Sequence, residues 1–124
     1  MKVLALIFVV YSILLIYIAV GTPIGFSVRL EYSALSIYLK LNHIGAFFLH
    51  TVLAHLLFSR SDRYTDRAFW LAPLAAFTYG LLIEFIQLFL PHRDGTVIDL
   101  VYNLLGILSF VILFRGYRFL KEVR

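Results

Sequence analysis

Apolar positions fall into four long runs, and polar positions gather at their ends or as spaced pairs within the last two. The runs cover residues 3–20, 41–58, 69–90 and 97–114. Coiled as α-helices rising about 1.5 Å per residue, they match a hydrocarbon core about 30 Å thick. None alternates with period two, as the strands of a membrane barrel would. The pattern predicts an all-α integral membrane bundle of four transmembrane helices, one domain over residues 1–124. The first run, "VLALIFVVYSILLIYIAV", follows Lys2 and ends at small residues, as a signal peptide would. Its charge-free length favours a retained span instead. Pro73 is expected in the first turn of the third helix, where a missing N–H costs little.

Composition agrees with this pattern. The chain is 62% hydrophobic and 15% charged, with a mean hydropathy of +0.93, outside the range of soluble domains. There is no cysteine, which excludes disulfides, a thiol nucleophile and thiolate metal sites. The net charge of +4 carries no basic-aromatic nucleic-acid signature and is better read as a topology signal. Lys2, Arg60, Arg63, Arg67, Arg115, Arg118, Lys121 and Arg124 would share one side, against Arg29, Lys40 and Arg93 on the other. Positive-inside bias then puts both termini in the cytoplasm. The 21–40 loop and the 91–96 turn would face outward.

The candidate chemistry lies in "EFIQLFLPHRDGTVIDLVYNLLG", residues 84–106. Gly80, Glu84 and Gln87 share a face of the third helix, and Asp99, Asn103 and Gly106 share one on the fourth. Both stripes have the spacing i, i+4, i+7. Glycine permits close helix approach, and facing polar side chains can bond across the contact. Glu84 is six residues before Leu90, about 9 Å below the outer end. Lys40 and His43 open the second run at the same level, and Arg93 lies in the outer turn. A charge deep in a membrane helix costs about 2.5–3.5 kcal/mol on insertion scales, so these groups should meet partners or water. A purely structural role is also open, with Glu84–Arg93 or Asp99–Lys40 ion pairs locking the helices. His50 and His55 are five apart and share no face, so no metal site is expected from them. His50 lies on the His43 face, where helix packing is the expected role. Gly45 reads as a close-packing position. Phe69, Trp70, Tyr79 and Tyr102 read as interface belts or core.

The ordered set Lys40 and His43 in "KLNH", Glu84 and Gln87 in "EFIQ", Arg93, then Asp99, Asn103 and Gly106 in "DLVYNLLG" resembles the VanZ-like family. These are small bacterial membrane proteins named for a teicoplanin-resistance protein. The likeness covers roughly residues 37–110. Two positions depart from it: His92 stands where the family usually has glycine, and Thr96 where a second acid is frequent. The resemblance implies a multi-pass protein of the bacterial cytoplasmic membrane and a role at the cell envelope, including lowered susceptibility to teicoplanin.

Three functions follow as expectations. In the first, Lys40, His43 and Arg93 meet the phosphate of a membrane lipid or lipid-linked cell-wall precursor, with Arg93 able to bind bidentately. Glu84, Gln87, Asp99 and Asn103 orient those cations. In the second, Glu84 and Asp99 act as acid and base, or hold a divalent cation, in an enzyme working on such a lipid. In the third, the glycine faces assemble the chain into a homo-oligomer or envelope complex. No cofactor and no nucleic-acid partner is expected.

Overall fold

The computed structural model describes residues 2–21, 32–60, 65–90 and 97–123. These form α1 (Lys2–Gly21), α2 (Tyr32–Phe58), α3 (Thr65–Gln87) and α4 (Val97–Glu122), with no strand among the described residues. All four are long and apolar enough to cross a membrane. Helices are the form such sequences must take in hydrocarbon, because each backbone N–H and C=O is then satisfied within its own segment.

Four boundaries differ from the sequence pattern, one of them the end of α3 at Gln87 rather than Leu90, which puts Glu84 one turn from the helix end. Helix α2 starts nine residues before Leu41, at Tyr32. Ser33, Ser36 and Lys40 dilute the hydropathy of that stretch, yet no glycine or proline interrupts it. Helix α4 continues past Phe114 for two more turns, through a basic segment in which arginine, leucine, lysine and glutamate favour the helix enough to carry it over Gly116. Helix α3 starts at Thr65, so Pro73 sits inside it rather than in its first turn. The carbonyl of Phe69 therefore lacks the usual i+4 N–H partner.

Helix α2 is central and packs against the other three. Helices α3 and α4 also pack on each other, while α1 touches α2 and α3 but not α4. Buried Phe47, Ala76, Ile83 and Ile107 form the core, with Leu15, Ile16 and Phe77 packed around it. The α3 seam has a simple cause in the sequence. Ala68, Ala72 and Ala76 are fully buried, and they continue at spacing four into buried Gly80 and Glu84. A small-residue stripe of this kind lets helix backbones approach closely where there is no hydrophobic force between helices. Glu84 is buried because it occupies the next register position of that stripe.

Close approach is greatest between α2 and α4. A Cβ on Gly106 would lie 2.3 Å from the Ile44 carbonyl oxygen and 2.9 Å from the Phe48 nitrogen. Gly80 faces Phe47, whose ring would lie 3.0 Å from an added Cβ. Gly45 does not close-pack: it is exposed, with open space where a Cβ would stand among the described residues.

Helix α1 adds polar ties to its apolar packing. The Tyr11 hydroxyl donates to the Ala46 carbonyl at 3.0 Å, the Tyr79 hydroxyl to the Ser12 carbonyl, and Gln87 Nε2 to the Ala19 carbonyl at 3.1 Å. Ser12 Oγ donates to the Phe8 carbonyl at 2.8 Å, so it accepts from His50 Nε2 at 3.2 Å. That bond assigns the His50 proton to Nε2. The His50 ring stacks on Tyr79, centroids 4.7 Å apart and planes 11° apart. At the opposite end from Gln87, Arg118 on α4 pairs with Asp66 on α3 at 2.7 Å.

Candidate functional site at the Gln87 end of the bundle

The register that buries Glu84 also aims the α4 stripe inward. Asn103 is 1% exposed, and its Oδ1 lies 2.9 Å from His43 Nδ1 on α2. An amide oxygen only accepts, so His43 donates from Nδ1 and its Nε2 is left as an acceptor in the neutral ring. Asn103 Nδ2 lies 3.4 Å from where a Gly80 Cβ would stand. The two glycine-bearing stripes therefore meet at Gly80 and Asn103. The absent Cβ makes room for the amide. Asn103 Nδ2 is buried with no hydrogen-bond partner among the described residues.

Lys40, one turn before His43, holds its Nζ 5.7 Å from the centroid of the Tyr102 ring on α4. A cation over an aromatic face is favoured by about 0.5–2 kcal/mol, depending on desolvation. Two consecutive α4 residues, Tyr102 and Asn103, thus engage two α2 residues separated by one turn. Asp99 is partly buried in the first turn of α4, where the positive end of the helix dipole favours a carboxylate.

Gln87 leaves this group. It shares a broad face with Glu84, but its amide crosses to Ala19 of α1 rather than to α4. Its observed contact is a helix tie. Arg93, expected to complete the cluster, lies outside the described residues, as do His92 and Thr96.

A groove of about 580 Å³ opens between α3 and α4. Leu81, Leu82, Phe85, Leu88, Val97 and Leu100 make it apolar, and Glu84 is the single acid in its lining. The other polar lining residue, Thr78, spends its hydroxyl on the Leu74 carbonyl at 2.9 Å. Sites for small molecules typically have volumes of about 300–1,000 Å³, apolar walls and a few placed polar groups. Glu84 is therefore shared by two features, the buried seam and the rim of an apolar groove. Among the described residues no three His, Asp or Glu side chains cluster as metal ligands do. His50 and His55 occupy separate seams: His50 lies between α1 and α3, whereas His55 meets Ser59 and the rings of Phe110 and Phe114.

Two contacts escaped the sequence reading. Tyr79 packs against the core as expected and also ties its hydroxyl to mid-α1 at the Ser12 carbonyl, while Tyr102 faces Lys40. Spacing on α4 offered a signal for Tyr102, because its neighbour Asn103 already belonged to the inward stripe. Comparison of the chain with protein-family models, curated proteins and solved structures returns no match.

Proposed function

We propose that the chain is a multi-pass protein of the bacterial cytoplasmic membrane that binds the head group of a lipid or lipid-linked cell-wall component at its outer end. Both termini are cytoplasmic in this reading, as the distribution of Lys and Arg favours. Its envelope role is of the VanZ-like kind and includes lowered teicoplanin susceptibility. One observation carries the proposal: buried Glu84 forms the polar point of an otherwise apolar groove, on the same α3 stripe that meets Asn103 and His43. A membrane-embedded ionisable group that lines a cavity is a functional site by default. An apolar groove beside such a group suits an amphipathic ligand, with its chain along Leu82 and Phe85 and its head toward the polar layer. Lys40, His43 and Arg93 meet phosphate, while Asp99 and Asn103 orient them.

An enzyme acting on the same lipid is the second reading, favoured by the burial of Glu84. A carboxyl withdrawn from water and adjoining a substrate groove is suited to proton transfer.

The test uses wild type, Glu84→Gln and Asp99→Asn, expressed at matched membrane levels in a susceptible Gram-positive host. Teicoplanin susceptibility and surface binding of a fluorescent lipoglycopeptide are measured together. The wild type alone should lower both. In parallel, Lys40→Ala should weaken binding of lipid-linked precursor to the purified protein by about tenfold, the loss of one charge-assisted contact. Unchanged binding in folded Lys40→Ala, together with equal susceptibility in all three strains, defeats the proposal. Conversion of lipid extract by wild type but not by Glu84→Gln moves the assignment to the enzyme.

A further inference from the structure

The far end of the bundle carries a second feature that the polar layer does not explain. Helix α4 has 26 residues, about 39 Å of helix, so roughly its last two turns exceed a 30 Å hydrocarbon core. The Arg118–Asp66 bond sets the level, because Asp66 lies in the first turn of α3. Lys121 and Val123 project one turn further. This extension interleaves Arg115, Arg118 and Lys121 with exposed Tyr117, Phe119, Leu120 and Val123, each more than 60% exposed. A crevice of about 360 Å³ follows it, walled by Phe114, Tyr117, Arg118, Lys121 and Glu122. Lys2, Arg60 and Arg67 stand at the same end of their helices, so the described residues there comprise six cations against Asp66 and Glu122.

We infer that this end binds anionic phospholipid, with the head-group phosphate in the crevice between Arg118 and Lys121. The chemistry is phosphate recognition. Asp66 engages one guanidinium N–H of Arg118, which leaves four further N–H donors. Lys121, one turn away, brings three more. Glu122 on the crevice wall disfavours dianions and leaves a singly charged phosphodiester as the better fit. Tyr117 and Phe119 are amphipathic or apolar side chains of the kind that sit at head-group depth. Basic residues near an anionic leaflet each contribute about 1 kcal/mol, or about fivefold in affinity. The net charge of this end therefore favours a lipid surface over solvent alone. The inference rests on the membrane reading but is independent of the Glu84 groove.

Full-length protein in mild detergent is titrated with short-chain phosphatidylglycerol, phosphatidylcholine of the same chains, or inorganic phosphate. Bound lipid is counted by native mass spectrometry. Phosphatidylglycerol should bind about tenfold or more tightly than phosphatidylcholine, and raising salt from about 0.15 M to about 0.5 M should weaken it severalfold. Arg115→Gln and Lys121→Gln avoid the Arg118 ion pair and should each cost about fivefold. Gly45→Ala, exposed on α2 and outside both sites, should leave this binding unchanged. Equal binding of both lipids overturns the inference, as does loss with Gly45→Ala but not with Lys121→Gln. Competition by inorganic phosphate at the same concentration as the lipid overturns the lipid assignment in favour of a free anion. If Lys40→Ala abolishes precursor binding while phosphatidylglycerol binding persists, the two sites are separate, and either can fail alone.

Discussion

Gly106→Ala should destabilise the bundle by about 2–3 kcal/mol, the upper part of the range for overpacking a buried site. The added methyl would meet the Ile44 carbonyl oxygen at 2.3 Å and the Phe48 nitrogen at 2.9 Å. These are backbone atoms of α2, so no side chain can rotate away. Relief requires α2 and α4 to part by about 1 Å, at the cost of packing contacts that fall off steeply with such a gap. Parting the helices would also stretch the His43–Asn103 bond, which lies one turn away on the same seam. Stability and ligand binding should therefore fall together. The control is Gly45→Ala, on the same α2 helix but facing open space. It should be neutral or stabilising by up to about 1 kcal/mol, since alanine is the better helix former. Unfolding of purified protein by titrated anionic detergent measures both. Equal midpoints for Gly106→Ala and wild type would show that the seam does not depend on this contact.

The second large effect concerns His50, which is 1% exposed among Phe8, Phe47 and Tyr79. His50→Ala should cost about 2–4 kcal/mol, the range for truncating a large buried side chain into a cavity. His50→Phe should stay within about 1 kcal/mol of wild type. It keeps a ring against Tyr79 and Phe8. It loses the Ser12 bond, worth about 0.6–1.7 kcal/mol between membrane helices. It also removes Nδ1, which is buried with no hydrogen-bond partner among the described residues. Because Ser12 still bonds the Phe8 carbonyl, the hydroxyl is not orphaned. The damage should be local to α1. The chain has no cysteine, so Ile16→Cys supplies a single reporter at the core-facing side of α1. Its labelling by a membrane-permeant maleimide should accelerate in the His50→Ala background and stay slow with His50→Phe. Equal acceleration by both would point to the lost hydrogen bond, not the cavity, as the cause.

The four helices were legible because each apolar run is long enough to satisfy its own backbone. Their polar ends were not. Hydropathy reports the segment inside hydrocarbon, whereas a helix continues wherever the residues tolerate it, as Tyr32–Lys40 and Arg115–Glu122 do. The inward faces of α3 and α4 were read from spacing, and Gly80 and Asn103 do meet. Gln87 shares the Glu84 face only broadly, because three residues along a helix is a 60° turn from its neighbour's direction, and here its amide reaches α1. The position of Glu84 had a signal that went unread: Ala68, Ala72, Ala76 and Gly80 precede it at a constant spacing of four. Gly45 shows the limit of composition, since a glycine in an apolar helix says only that space is permitted, not that a neighbour fills it.

Among the described residues, helix α1 packs on α2 and α3 but not on α4, and its ties include hydroxyl and amide groups. It is also the most apolar of the four, with none of its candidate span buried. During biosynthesis such a segment can partition into the bilayer unaided as soon as it leaves the translocon. The later helices carry lysine, histidine and glutamate, groups that cost free energy in hydrocarbon until they meet partners. In a membrane, the first helix would then need its neighbours least, and its few polar ties would serve to orient it rather than to keep it in lipid.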